Sequence, residues 1–124
     1  MHTESTRPLL SVVIPCFNES ATILDLIERV RQAPVASKQL IVVDDGSSDG
    51  TRELLKGLSA PDLTVVLHER NKGKGEALAT GFAAAEGQIC IVQDADLEYD
   101  PNEYPLVIGP VSYTHLTLPT ILRV

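Results

Sequence analysis

The chain has 124 residues, 44% hydrophobic but only 4% aromatic, and carries a formal charge of −7. That length corresponds to one domain with a modest core, and a composition rich in Val, Ile, Leu and Ala suits an α/β protein. The acidic balance argues against a nucleic-acid backbone as partner, yet leaves room for a nucleotide whose phosphates are met by a metal and a local lysine cluster.

Cys16 and Cys90 form no C-x-x-C pattern and read as reduced packing residues of an intracellular protein. Residues 1–8 are polar, without the apolar stretch of a signal peptide. No run approaches the roughly 18 apolar residues of a membrane span. The expectation is a cytoplasmic chain with a flexible N-terminus over residues 1–8.

Residues 9–15, LLSVVIP, are a continuous apolar run, the pattern of a strand buried on both faces. Asn18, Glu19 and Ser20 supply helix-start chemistry. Ile23, Leu26, Ile27 and Val30 then recur at helical spacing, and Pro34 ends the helix. A second strand is predicted over residues 39–44, followed by a helix carrying Leu54, Leu55 and Leu58 and capped by Ser47, Ser48 or Asp49. Residues 63–67, LTVVL, make a third strand, closed by His68 and Glu69, which are compatible with plain surface. A third helix is expected over residues 74–85, with Leu78, Gly81, Phe82 and Ala85 on one side. Residues 88–93 form a fourth strand, and a further helix or turn starts at Pro101.

Strand–helix alternation with short connections implies parallel pairing and right-handed crossovers. Ligands of such sheets bind outside the carboxyl ends of the strands. Four polar clusters fall at that end: residues 16–19, residues 44–47, the loop 71–76 and residues 94–96. Their convergence points to one site.

Each cluster has a functional and a plain reading. Phe17 can pack against a base and Glu19 can accept from a ribose or base donor; equally, they are a core aromatic and a helix-cap carboxylate. The DDGSSDGT run at 44–51 joins carboxylates to a tight turn at Gly46, able to accept a base N–H or ribose hydroxyl, or to act as an Asp-rich turn with a helix cap. The NKGKGE loop at 71–76 has two cations and two glycines where a helix begins, the chemistry that admits a phosphate; otherwise it is an exposed basic loop. It is not a G-x-x-x-x-G-K-[ST] loop, and no G-x-G-x-x-G follows the first strand. Asp94 and Asp96, one residue apart at a strand end, point the same way. A divalent cation shared with phosphate oxygens relieves their repulsion; a solvated acidic turn is the alternative. Glu98 and Asp100 either add negative field near a metal or are simply solvated.

Residues 111–120, VSYTHLTLPT, break the pattern. Back-translated, they resemble the transposase adapter used to fragment DNA for sequencing. The expectation is that residues 110–124 are translated adapter, that residues 9–109 are the genuine domain, and that this domain is the front portion of something longer. The competing reading is a natural strand-like tail, since Leu116, Leu118 and the threonines have strand character.

Taken together, SVVIPCFNE at 11–19, IVVDDGSSDGT at 41–51, NKGKG at 71–75 and QDADLEYDP at 93–101 resemble glycosyltransferase family 2, above all its polyprenyl- or dolichyl-phosphate sugar synthases. The resemblance covers about residues 9–108. It implies a GT-A fold, a Rossmann-like three-layer α/β/α arrangement with a mainly parallel sheet, here incomplete at the C-terminus. It implies that Pro15, Phe17 and Glu19 line the nucleotide pocket, that Asp44 and Asp45 contact base or ribose, and that Lys74, Gln93, Asp94 and Ala95 adjoin the nucleotide sugar. It further implies that Asp94 and Asp96 hold Mg2+ or Mn2+ at the diphosphate. Members often carry Tyr where this chain has Phe17, so one hydroxyl contact is missing. The implied reaction is inverting transfer of a sugar from a nucleotide-diphosphate sugar to an acceptor such as a polyprenyl phosphate at a membrane surface. Acceptor groups lie largely beyond the metal motif, so the chain by itself is expected to be inactive, with its catalytic residues unassigned.

Two other classes fit parts of the sequence. A receiver-like signalling domain would hold Mg2+ around Asp44, Asp45 and Asp94. A nucleotide-binding remnant would bind without catalysis.

Overall fold

The structure, a computed structural model, describes residues 8–35, 37–94, 101–103 and 120–123. Its centre is a five-stranded parallel sheet in the order β3-β2-β1-β4-β5. The strands are β1 (Leu10–Cys16), β2 (Lys38–Asp44), β3 (Leu63–Leu67), β4 (Ile89–Val92) and β5 (Thr120–Arg123). Between them run α1 (Ile23–Gln32), α2 (Thr51–Lys56) and α3 (Lys74–Ala84), and a 3-10 turn lies at Pro101–Glu103.

Strand alternation divides the core into two layers. Val12, Ile14, Leu40, Val42, Ile89 and Ile91 point to one face, where Ile23, Leu26, Ile27 and Val30 of α1 and Leu55 of α2 cover them. Val13, Ile41 and Val43 point to the other face and meet Ala77 of α3, with Leu78 and Phe82 alongside. Two crossovers therefore run on one face as the chain steps from β1 to β3. The third, through α3, runs on the opposite face as the chain returns past β1 to β4. With the sheet's twist, right-handed crossovers permit only this sidedness. Gly81 makes the close approach of α3 possible, because a Cβ there would overlap Val13 Cγ1.

The predicted α1 face is fully buried, as expected. The Ser47, Ser48 and Asp49 cap of α2 is corrected: Gly50, at φ 104°, stands at the N-cap position without a side-chain cap. Asp49 reaches one residue further, its Oδ1 accepting the Thr51 N–H at 3.0 Å. The sheet also has one strand more than the four predicted. β5 lies inside the segment 110–124 and pairs with β4 from Ile89↔Thr120 to Val92↔Arg123. The open edge of β4 offers a row of backbone donors and acceptors, and Thr-Ile-Leu-Arg has the residues to take it.

Strand order reverses at β1, whose neighbours β2 and β4 are reached by chain segments leaving in opposite directions. The loops after β1 and β4 consequently diverge and leave a crevice at the carboxyl end of the sheet. A receiver-like domain has the order 2-1-3-4-5, so the observed order removes that alternative. Among the described residues no helix is long and apolar enough to cross a membrane.

Candidate functional site

A cleft of about 410 Å³ opens at this switch point. Pro15, Cys16, Phe17 and Glu19 line it from the end of β1, Asp45 from the end of β2, Asn71, Gly73, Lys74 and Ala77 from the start of α3, and Asp94 from the end of β4. All four polar clusters picked out in the sequence contribute to one cavity.

The β1 and β2 loops are fastened to each other by a ladder of hydrogen bonds. Cys16 O accepts the Asp45 N–H at 2.9 Å. The Asn18 N–H donates to Ser47 Oγ at 2.7 Å, and Asn18 Oδ1 accepts the Ser48 N–H at 2.8 Å. The Glu19 N–H donates to Thr51 Oγ1 at 3.0 Å and the Ser20 N–H to Asp49 Oδ2 at 3.1 Å. Asn18 sits at φ 56°, which Asn tolerates better than most residues. The residues read as helix caps thus work mainly as staples between loops. Phe17 is left 45% exposed on the cleft wall, an apolar face available to a planar ligand.

Adjacent aspartates take opposite roles. Asp44 is fully buried and does not line the cleft. Its Oδ2 accepts the Ser47 N–H at 3.1 Å and lies 3.6 Å from Arg52 Nη1, and its Oδ1 faces Cys16 Sγ at 3.9 Å. Burial, with the nearby Asp44 carboxylate, pushes the Cys16 thiol up to about 12. Cys16 is therefore a neutral packing group at physiological pH, and native protein should resist alkylation there by iodoacetamide while denatured protein reacts.

Asp45 faces the β3–α3 loop. Its Oδ1 accepts the Lys72 N–H and its Oδ2 the Gly73 N–H, both at 2.9 Å. His68 Nδ1 lies 2.9 Å from Oδ1. Burial pulls the Asp45 carboxyl upward, but the hydrogen bonds from His68 and from the two backbone N–H groups outweigh it, and the net effect is downward. A depressed folded value contributes stability that is complete above the ordinary 3.8 and is lost as pH falls from there through the folded value. Asp45→Asn should flatten the acid limb of stability below about pH 4, read as the difference in urea midpoint between wild type and variant across that range.

His68 corrects the surface reading: its side chain is 7% exposed, enclosed by Asp45 and by Thr80 Oγ1 at 2.9 Å from Nε2. Thr80 was not singled out in the sequence. Its one cue is a polar side chain a helical turn after the buried Ala77.

Lys74 is the first residue of α3, and its Nζ lies 2.7 Å from Asp94 Oδ1 across the cleft mouth. A lysine at a helix N-terminus opposes the helix dipole. An anionic ligand there would reverse that conflict. Gln93 is buried beneath the site, its N–H bonded to Val13 O at 2.9 Å, and it does not line the cleft. Ala95, Asp96, Glu98 and Asp100 lie outside the described residues. Among the described residues no cluster of three His, Cys, Asp or Glu is poised for a metal. The Asp94 carboxylate at the cleft is still the kind of hard oxygen donor that a divalent cation takes.

The family model described as "Glycosyl transferase family 2" matches residues 11–122. The chain is 41% identical over 106 residues to the undecaprenyl-phosphate 4-deoxy-4-formamido-L-arabinose transferase of Aeromonas hydrophila subsp. hydrophila, covering 81% of this chain and 32% of that protein. It thus spans about a third of the length of that relative. Among solved structures, the mannosyltransferase PcManGT of Pyrobaculum calidifontis, in complex with GDP-Man and Mn2+, superposes with a TM-score of 0.71 at 27% identity, covering 86% of this chain and 32% of that one. The glucosyl-3-phosphoglycerate synthase of Mycobacterium tuberculosis, in complex with UDP, gives 0.66 at 33% identity, with 91% and 43% covered. The parallel sheet with its switch-point cleft is a GT-A fold, and a family match running from β1 to β5 gives that cleft its context: the chain belongs to glycosyl transferase family 2.

Proposed function

We propose that this chain is the donor-binding region of an inverting glycosyltransferase that moves a sugar from a nucleotide-diphosphate sugar to an acceptor, a polyprenyl phosphate in the reading favoured by the relatives' names. The observation that carries it is the gathering of Phe17, Glu19, Asp45, Lys74 and Asp94 from four loops into one cleft. Phe17 offers a face for the base, and Glu19 accepts from base or ribose. Both Asp45 oxygens are occupied by the loop, so Asp45 acts there as a brace, with any contact to base or ribose secondary. Lys74 and the N-terminus of α3 meet the diphosphate charge.

Asp94, with Asp96 as its expected companion, would hold Mg2+ or Mn2+; the ion supplies neutralisation of charge on the leaving diphosphate. An acceptor oxygen forms its bond to the anomeric carbon as the carbon–diphosphate bond breaks, and the nucleoside diphosphate leaves with the electron pair. A phosphate acceptor is already anionic and needs no general base. The buried free thiols of Cys16 and Cys90 suit a reducing, cytoplasmic setting.

Calorimetric titration of the folded chain with UDP and GDP, with Mn2+, with Mg2+ and after EDTA, tests the reading. Metal-dependent binding of either nucleotide is expected, and folded protein that binds neither overturns it. Sugar transfer to undecaprenyl phosphate is expected to be absent from this chain alone. We propose separately that residues 110–124 are translated adapter, even though the family match reaches residue 122 and residues 120–123 pair with β4. Reading the source DNA without transposase fragmentation decides it, since an identical tail and stop codon at the locus would refute that origin.

A further inference from the structure

We propose that His68 is a positioning residue for this site: it fixes Asp45, and through Asp45 it sets the Lys72–Gly73 backbone from which Lys74 and α3 begin. The inference rests on the donor-site reading for its functional consequence, but not for its geometry.

The links form one continuous path. His68 follows β3 directly and is anchored at both backbone ends: its N–H donates to Asp44 O at 2.8 Å, and its carbonyl accepts from Arg52 Nη1. That anchoring fixes the ring's origin. The ring is then held between Asp45 Oδ1 and Thr80 Oγ1, each at 2.9 Å. A carboxylate only accepts, so Nδ1 carries a hydrogen, and in the neutral ring Nε2 accepts from the Thr80 hydroxyl. Asp45 therefore sets the tautomer, and the Thr80 hydroxyl, able to donate or accept, adapts to it and anchors the far side of the ring. With Nδ1–H on Oδ1, the carboxylate is aimed so that its two oxygens receive two successive backbone N–H groups, from Lys72 and Gly73. Gly73, at φ 100°, is the residue on which the chain turns into α3. Lys74 comes next and reaches Asp94. The base of the phosphate-facing loop is thereby held from beneath by a histidine that itself lines no part of the cleft.

A residue that merely fills space in the core would be replaceable by an apolar side chain of similar size. A positioning residue would not. The test compares His68→Leu, His68→Asn and Thr80→Val with wild type. Asn can place an N–H near the position of Nδ1, and Thr80→Val removes only the outer anchor of the ring. Two readouts are taken: amide hydrogen exchange at Lys72 and Gly73, and Mn2+-dependent UDP and GDP binding.

Expected is at least about 10-fold faster exchange at both amides in His68→Leu, substantial recovery in His68→Asn, and a smaller change in the same direction in Thr80→Val. Nucleotide affinity should fall in the same order, by about 10-fold for His68→Leu. Unchanged exchange at Lys72 and Gly73 in folded His68→Leu overturns the inference. If that variant does not fold, unchanged exchange in Thr80→Val overturns it instead. If exchange rises as expected while wild type binds neither nucleotide, the donor-site reading fails and the hold of His68 on the loop stands.

Discussion

Replacing Gly46 with alanine is expected to destabilise the chain by on the order of 3–5 kcal/mol, lowering the melting temperature by roughly 10–20 °C. Two costs coincide at this position. Gly46 adopts φ 78°, a conformation that disfavours any residue with a Cβ. The Cβ would also point into the backbone of the neighbouring loop, overlapping Arg70 C and Asn71 N and lying 2.9 Å from Arg70 Cα. Backbone cannot rotate away as a side-chain tip can, so the β2–α2 and β3–α3 loops would have to separate. That separation would pull Asp45 from Lys72 and Gly73, and nucleotide affinity should fall together with stability.

Gly50→Ala is the control. Gly50 also has positive φ, at 104°, but its Cβ would meet nothing within 4 Å. Only the conformational cost remains, about 1 kcal/mol. Thermal melts of the two variants separate the effects. Equal losses would show that close approach of the loops is not what Gly46 provides.

Much of this arrangement is readable from local pattern. The runs at β1, β2 and β4 are apolar on both faces because helices cover both sides of the sheet. The α1 face was legible because Ile23, Leu26, Ile27 and Val30 are large and their opposite face is charged. α3 was harder: its contact surface includes Ala77 and Gly81, small residues that carry little hydrophobic signal but let the helix sit close against Val13.

The site was legible as a set of clusters, since parallel strands place all their outgoing loops at one end. Which carboxylate did what was not. Neighbours along an extended chain point to opposite sides, so Asp44 and Asp45 had to divide, but which one turned inward depends on Arg52 and on a loop more than twenty residues away. His68 was illegible for the same reason. A histidine just after a strand has no local mark of burial, and its ring partners are Asp45, which follows β2, and Thr80 of α3. β5 depends on an open sheet edge, a property of strand order that the sequence of the strand itself does not carry.

Asp94→Ala is expected to abolish the metal-dependent part of nucleotide binding, a loss of at least about 100-fold, with little change in melting temperature, because the side chain is partly exposed and its ion pair with Lys74 bridges the cleft mouth. Lys74→Met should separate two effects with opposite signs. Lys74 Nζ sits 2.7 Å from Asp94 Oδ1, where a divalent cation would also need to bind. Without nucleotide, removing the ammonium removes a competitor, so Mn2+ alone should bind more tightly, by roughly 3–10-fold at low ionic strength.

With UDP or GDP present the sign reverses. The diphosphate brings negative charge to the start of α3, and the lost ammonium would have met it, so nucleotide binding should weaken by about 10-fold or more. Mn2+ titrations followed by electron paramagnetic resonance, with and without nucleotide, read both arms on the same samples. A Lys74→Met variant that weakens Mn2+ binding in the absence of nucleotide would mean that the ammonium supports the metal site and does not compete with it. One that binds nucleotide as wild type does would remove Lys74 from the donor site altogether.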